Sequence, residues 1–511
     1  MLDIKNISIT MNRDGRELIR GLSFTVNEGD KAAIIGEEGN GKSTLLKLIH
    51  DPALIEDYCS WSGEIIKNNA ITGYLEQELN ADDRELSVYQ YFLKYSHDDS
   101  VIHSTYAKVF SELGLDPGLF YEDRRVNTLS GGEKVKLQLA RILMSSPDIL
   151  LLDEPTNDLD LDTIAWIESF IQNCKLPLLY ISHDETLLEN TANKIIHLEQ
   201  LRKKAVPRST VKKTDYLTYI QTRSDAFVRQ EQIARSERAD YKAKMERWRQ
   251  IYSKVESRQN TISRGDPSGG RLLKKKIHTL KSMEKRFDRE KDQSTEMPES
   301  EDAILVSFGD NISLPASKRV LDFELDHLRV GDENILLASD IKLSVIGPES
   351  IGIVGNNGSG KTTLLRLIAD ELLNRTDIKV AYMPQNYDEV LDADLTPVEL
   401  LAADSSKESI TEARTLLGSM KYTHEEMTGR IGELSGGQKA KLFFIDMILK
   451  ECNVLILDEP TRNFSPLSNP VIRQILIAYR GAIISVSHDR KYLAEVCEKV
   501  YRLTPNGLFL C

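Results

Sequence analysis

Cysteine is scarce in this chain: five in 511 residues, at Cys59, Cys174, Cys452, Cys497 and Cys511, with no C-x-x-C pair among them. An odd, scattered set excludes a disulfide framework and a clustered zinc site, and it fits a reducing cytoplasmic setting. The thiols read as small buried apolar residues. Long hydrophobic runs are missing as well: no stretch approaches the roughly 18–20 apolar residues that span a bilayer. The opening Met1-Leu2-Asp3-Ile4-Lys5 does not read as a secretory signal. If the chain drives transport, its membrane part is expected on another molecule. Positive charge is in deficit overall, with a net charge of −13, which argues against a chain that coats nucleic acid along its whole length. The length exceeds what one core can organise and suggests about three domains.

What is present is a phosphate cradle, twice. Gly36-Glu37-Glu38-Gly39-Asn40-Gly41-Lys42-Ser43 fits G-x-x-x-x-G-K-[ST]. It follows a strand-like run, Lys31 to Ile35, and precedes a helix-like run, Thr44 to His50. Its glycines let backbone N–H groups face phosphate oxygens, and the helix N-terminus adds its positive end. Lys42 can reach the outer phosphates and Ser43 can hold Mg²⁺. The motif recurs as Gly355-Asn356-Asn357-Gly358-Ser359-Gly360-Lys361-Thr362.

The surroundings repeat too. Residues 1–35 alternate as short antiparallel strands, and Ile71 to Gln77 reads as a strand ending in a glutamine. Leu129-Ser130-Gly131-Gly132-Glu133 leads into a helix, and Ile149-Leu150-Leu151-Leu152-Asp153-Glu154 reads as a buried parallel strand ending in two carboxylates. A second such strand ends at Ser182-His183-Asp184. The later copies are Gln385, Leu434-Ser435-Gly436-Gly437-Gln438, Val454 to Glu459, and Ser487-His488-Asp489. Ser130 to Glu154 and Ser435 to Glu459 are both 24 residues; Glu154 to His183 and Glu459 to His488 are both 29. Two cradles in one internal repeat mean two copies of a nucleotide-binding α/β domain.

Between the copies the composition changes sign. Residues 208–292 hold 23 Lys and Arg against 12 Asp and Glu, a net +11, which leaves −24 for the remainder. Within them, residues 254–286 carry 10 basic and 3 acidic residues. The segment favours helix. It reads as one helix from about Asp215 to Val255, a loop containing Arg264-Gly265-Asp266-Pro267-Ser268-Gly269-Gly270, and a second helix from about Arg271 to Asp292. Gln293 to Asp302 reads as a flexible return. The expected domains are 1–203, a linker over 204–302, and 319–511.

Strand geometry suggests that Asp153 faces the metal at Ser43 while Glu154, the next residue, faces an attacking water as base or orienter. Gln77 is placed to sense metal or water, and His183 to contact the γ-phosphate.

These residues resemble the ATP-binding cassette superfamily, in which two cassettes pair head to tail around each ATP. The resemblance implies α/β cassettes in tandem joined by a long helical-hairpin linker. It implies one composite site from Gly36 to Thr44 with Ser435, Gly436 and Gly437, and another from Gly355 to Thr363 with Ser130, Gly131 and Gly132. Glu154, Glu459, His183 and His488 become the catalytic candidates, and Ser43, Gln77, Asp153, Thr362, Gln385 and Asp458 the Mg²⁺ candidates. Fused cassettes with a charged two-helix linker and no membrane segment look like the ABC-F subfamily of ribosome-binding ATPases. The resemblance covers the whole chain, with no large arm insertion expected in either cassette and no basic tail expected at the Cys511 end.

Two features depart from the family pattern. The adenine-stacking aromatic is replaced by Thr10-Met11-Asn12-Arg13 and by Leu328-Arg329-Val330-Gly331. After the first glutamate comes Thr156-Asn157-Asp158-Leu159-Asp160, but after the second Thr461-Arg462-Asn463-Phe464-Ser465-Pro466 lacks an aspartate. The site at Lys42 is therefore expected to differ in rate from the site at Lys361.

Three functions compete for a chain of this kind. A transport motor would need a membrane partner, and a DNA-repair or chromosome-structure ATPase would need zinc modules or much longer coiled coils. A ribosome-binding ATPase uses the basic linker on rRNA, with tRNA nearby. Within that subfamily the long first helix and the tip with Arg271-Leu272-Leu273-Lys274-Lys275-Lys276 look like the type that protects the peptidyl-transferase centre from lincosamides, streptogramins A and pleuromutilins. A protein of that type is expected to bind the ribosome in its tRNA-exit region; a housekeeping ABC-F translation factor is the alternative. The expected state is a monomer with its two cassettes paired within the chain.

Overall fold

The computed structural model describes residues 1–511 apart from 96–98, 202–204, 262–266, 293–294, 298–307, 310–311, 332–334, 403 and 405. Two compact units emerge. One contains Met1–Tyr216 with Glu301–Cys511, and the other is Leu217–Ser300.

In the first cassette, strands β1 (Leu2–Met11), β2 (Glu17–Val26) and β4 (Cys59–Ile66) form an antiparallel sheet in the order β2-β1-β4. Its alternating residues Ile4, Ile7, Ile9, Leu22 and Phe24 are buried on one face. A second sheet is built from β3 (Lys31–Ile35), β5 (Thr72–Leu75), β6 (Ile149–Asp153), β7 (Leu178–Ile181), β8 (Lys194–Gln200) and β9 (Val206–Lys212), in the order β5-β6-β7-β3-β8-β9. Five of these strands run parallel, and β9 pairs antiparallel with β8 at the edge. The continuous apolar runs of β3, β6 and β7 are what burial on both faces requires. Helices α1 (Lys42–His50), α2 (Gly131–Met144), α3 (Leu161–Asn173) and α4 (Glu185–Thr191) follow the cradle, the glycine-rich signature, β6 and β7 in turn. Because β9 belongs to this sheet, the cassette runs through Lys212 rather than stopping at 203. Its mixed polar sequence suits an edge strand and hid it among linker residues.

Residues 217–300 form the helical unit, with most of α5 (Tyr216–Thr261) and all of α6 (Pro267–Asp292). Tyr241 Oη donates to Asp288 Oδ1 at 3.1 Å, Lys244 Nζ to Glu290 Oε2 at 2.8 Å and Trp248 Nε1 to the Leu280 carbonyl at 2.8 Å. These contacts pair the helices antiparallel. Helix α5 extends past the expected Val255 end. Helix α6 starts at Pro267, so Pro267 to Gly270 are helical and not loop; proline at the first helical position has a suitable φ and no N–H to leave unpaired. The rest of the expected tip, residues 263–266, lies outside the described residues, as do 293–294 and 298–302 of the expected return segment.

The second cassette repeats the first. Strands β10 (Arg319–Val330) and β11 (Ile335–Ile346) form an antiparallel hairpin. The main sheet holds β12 (Ser350–Val354), β13 (Val380–Met383), β14 (Val454–Asp458), β15 (Ala482–Val486), β16 (Lys499–Thr504) and β17 (Gly507–Leu510), ordered β13-β14-β15-β12-β16-β17. Helices α7 (Lys361–Leu373), α8 (Gly436–Leu449), α9 (Asn469–Ile477) and α10 (Arg490–Glu495) occupy the places of α1 to α4.

The cassettes meet through charge. Arg473 of α9 is 3% exposed and donates to both carboxylate oxygens of Glu185 in α4, at 2.6 and 3.2 Å. Arg490 bonds Glu168 and Asp184 at 2.6 and 3.2 Å, and Lys491 reaches Glu185 and Glu189. No helix among the described residues is long and apolar enough to cross a membrane.

Candidate active site

Each cradle is shaped by backbone that only glycine tolerates. Gly36 has φ 146°, and a Cβ there would stand 2.2 Å from the Leu198 carbonyl oxygen. Gly41 and Gly360 are left-handed N-caps of α1 and α7. Each cradle lysine folds back over its own loop. Lys42 Nζ donates to the carbonyls of Gly36 and Glu37 at 2.8 and 3.0 Å, and Lys361 Nζ to those of Gly355 and Asn356 at the same distances.

At the end of β6, Ser43 Oγ donates to Asp153 Oδ1 at 3.0 Å and Tyr74 Oη to Asp153 Oδ2 at 3.0 Å. Burial, then the charge of Glu154, pushes the Asp153 carboxyl up to about 6. In the second cassette, burial likewise raises Asp458 to about 6. Asp458 is 1% exposed, and its two oxygens have no partner within ordinary hydrogen-bond geometry among the described residues; the nearby Thr362 hydroxyl of the cradle partly offsets the rise in its pKa. A buried carboxylate with vacant acceptor sites, one residue from the catalytic candidate and facing a cradle hydroxyl residue, suits a hard divalent cation such as Mg²⁺.

The glutamates do not continue their strands. Glu154 and Glu459 have φ 47° and 53°, so the turn into the left-handed region aims them, rather than strand alternation. Glu154 sits in a hydrogen-bonded nest. Gln77 Nε2 and Asn157 Nδ2 donate to its Oε2 at 3.0 and 2.5 Å, and His183 Nε2 lies 3.3 Å from its Oε1. Burial opposes its ionisation, but His183, Lys42 and Asn157 prevail and hold it down at about 2. Glu459 is pushed up to about 8 by burial and by Asp458; it accepts from the His488 backbone N–H at 3.2 Å. His488 itself is lowered to about 4, by burial and then by Lys361.

Both cradles engage the opposite cassette. Ser130 and Ser435 cap α2 and α8 through capping boxes with Glu133 and Gln438, and Gly131 and Gly437 at these helix starts lie beside Asn357 and Glu38 of the opposite cradles. Gly437 N donates to Glu38 Oε2 at 2.6 Å. On the other side, Asn357 N donates to Asp160 Oδ2 at 3.3 Å, and its side-chain amide reaches the Asp158 carbonyl beside Gly131. His183 Nδ1 lies 2.7 Å from the Phe464 carbonyl, so it is the donor there. Gln385 Nε2 points across to Asp158 Oδ1 at 3.4 Å rather than to Glu459.

The loop that lacks an aspartate still makes its crossing, with donor and acceptor exchanged. In the first loop Asp160 accepts from the second cradle. In the second loop Ser465 Oγ donates to Glu37 Oε1 of the first cradle at 2.7 Å, Ser468 Oγ donates to the same oxygen, and Lys441 stands 3.9 Å from Oε2.

Two cavities result. One of about 320 Å³ is lined by Glu38, Lys42, Ser43, Gln77, Glu154 and His183. The other, about 480 Å³, is lined by Lys361, Thr362, Gln385, Asp458, Glu459 and His488, with Val330 and Leu337 supplying aliphatic wall in place of the adenine-stacking aromatic of the family pattern. Arg462 lines both cavities and bonds Asp158 at 2.8 Å. Tyr74 and Glu37 are the contributors that motif reading did not assign to these contacts. Tyr74 reads as an ordinary strand residue, and the partners of Glu37 lie more than 400 positions away.

The family model described as ABC transporter matches residues 19–157 and 338–462, together just over half of the chain. Similar proteins span it nearly end to end. The ATP-binding protein Uup of Buchnera aphidicola is 28% identical over 99% of this chain and 81% of its own length. ABC transporter F family member 2 of Arabidopsis thaliana is 26% identical over 98% of this chain and 76% of its own. The probable ATP-binding protein YheS of Escherichia coli is 28% identical over 97% and 77%. In fold, the chain resembles an archaeal ribosome recycling factor, aABCE1, solved with the stalk protein aP1, at TM-score 0.58 and 17% identity over 99% of this chain and 89% of that one. With its cradles, signatures and carboxylate strands arranged in two facing sets, the chain belongs to the ATP-binding cassette family of ATPases, and its likeness to the F-type members runs the length of the molecule.

Proposed function

We propose that this chain is a ribosome-bound ABC-F ATPase whose linker protects the peptidyl-transferase centre from antibiotics. The observation that carries the ribosome reading is the charge split: +11 in residues 208–292 against −24 elsewhere. A basic helical pair on an acidic body favours RNA phosphates while limiting non-specific coating.

In the hydrolytic cycle, Lys42 and Lys361 would leave their cradle carbonyls to pair with nucleotide phosphates. Ser43 with Asp153, and Thr362 with Asp458, would hold Mg²⁺, with Gln77 and Gln385 near it. Bound there, Mg²⁺ would offset charge on the phosphate oxygens. Glu154 and Glu459 would each orient the attacking water and take its proton, with His183 and His488 facing the terminal phosphate. The signatures at Ser130 to Gly132 and Ser435 to Gly437 would close each site from the opposite cassette.

Resistance is tested by expressing the chain in a susceptible bacterium and measuring growth against a lincosamide and a pleuromutilin. Protection against either supports the reading, and shortening Gly265 to Gly270 is then expected to remove it. Unchanged susceptibility to both moves the assignment to a housekeeping translation factor.

A further inference from the structure

The two cradles differ at the positions where they touch the opposite cassette. The second carries Asn356 and Asn357, and Asn357 acts as a donor toward the Asp158–Asp160 loop. The first carries Glu37 and Glu38, both acceptors toward the second cassette. Glu37 is taken up by Ser465 and Ser468. Glu38 Oε2 takes the backbone N–H of Gly437, one of the unpaired donors at the start of the 14-residue helix α8. Such a helix start is a seat for an anion. Here the anion comes from the cradle itself, and Glu38 also lines the smaller cavity with Lys42 and Ser43.

We propose that Glu38 occupies, at the first site, the position that a nucleotide's terminal phosphate must take. The carboxylate bridges cradle and signature in place of a phosphate oxygen, so the first site can stay closed without nucleotide. ATP must expel Glu38 from Gly437 N–H before its outermost phosphate can bridge the same gap. ADP ends one phosphate short and does not compete for that donor. Glu38 is thus a specificity-determining residue that weakens ATP relative to ADP at this site. The second site has no counterpart, because Asn357 presents a donor there. The inference rests on the nucleotide chemistry of the cassettes and is independent of the ribosome reading.

The test uses the full chain with Lys361→Ala, which silences the second cradle, and measures equilibrium binding of fluorescent ATP and ADP. Adding Glu38→Asn is expected to tighten ATP about tenfold, since a charge-assisted competitor is lost. ADP is expected to change by less than about twofold. Glu38→Gln, which keeps the side-chain length without the charge, is expected to shift ATP in the same direction by less. Thermal melting identifies a variant that fails to fold, and the other then decides. Unchanged ATP affinity overturns the proposal. Equal tightening of ATP and ADP also overturns it, because it would show general charge repulsion and no contest for the terminal phosphate's place.

Discussion

At Gly36 the chain passes so close to Leu198 that no side chain fits, and its φ of 146° suits glycine alone. Gly36→Ala is therefore expected to destabilise the chain by about 2–3 kcal/mol, as seen in urea unfolding, and to lose nucleotide binding at the first site. Positions of this kind are the most legible in a sequence, because the backbone leaves one residue type to choose. The carboxylates are nearly as legible, ending buried apolar strands that have few other uses for charge. Changing both Glu154 and Glu459 to Gln is expected to reduce ATP turnover at least about 100-fold while nucleotide stays bound. Of the single changes, Glu459→Gln is expected to remove the larger share, since Glu38 and the aspartate-free loop handicap the site at Lys42; equal losses would count against that asymmetry. Tyr74 was not legible. A tyrosine in a strand usually packs, and only the fold puts its hydroxyl on Asp153.

Helices α9 and α4 belong to different cassettes, yet one buried arginine joins them. Burial disfavours the charge of Arg473, but Glu185 and Glu495 more than restore it. Truncating the arginine strands Glu185 without its main partner, so Arg473→Met is expected to cost about 3–5 kcal/mol in chemical unfolding. Adding Glu185→Gln should recover part of that cost, and additive effects in the double-mutant cycle would contradict direct coupling. The sequence pattern does not reveal such a pair, because the partners lie in separate repeats and charged helix residues ordinarily face water. Element boundaries also shifted for physical reasons. Pro267 opens α6 instead of ending a loop, and β9 carries the first cassette through Lys212. By contrast, the cradle, carboxylate and histidine strands legible in the repeat are β3, β6 and β7 in the first cassette and β12, β14 and β15 in the second.

At the scale of the molecule, opposite charge is segregated by domain: the acidic cassettes hold the chemistry, and the proposed ribosomal role gives the basic helical unit the contact with RNA. Reversing the charge of Lys274, Lys275 and Lys276 is expected to weaken ribosome binding and to flatten its dependence on salt, because fewer counterions are released. An unchanged dependence would argue that these lysines do not meet phosphate. The most direct measurement is cosedimentation of the chain carrying both Glu154→Gln and Glu459→Gln with purified ribosomes, with and without ATP. The expected result is stable pelleting with ribosomes in ATP, lost when ATP is withheld or when the lysines of α6 are reversed. Absence of the protein from the ribosomal pellet in ATP, with nucleotide bound and the fold intact, would contradict a ribosomal role altogether.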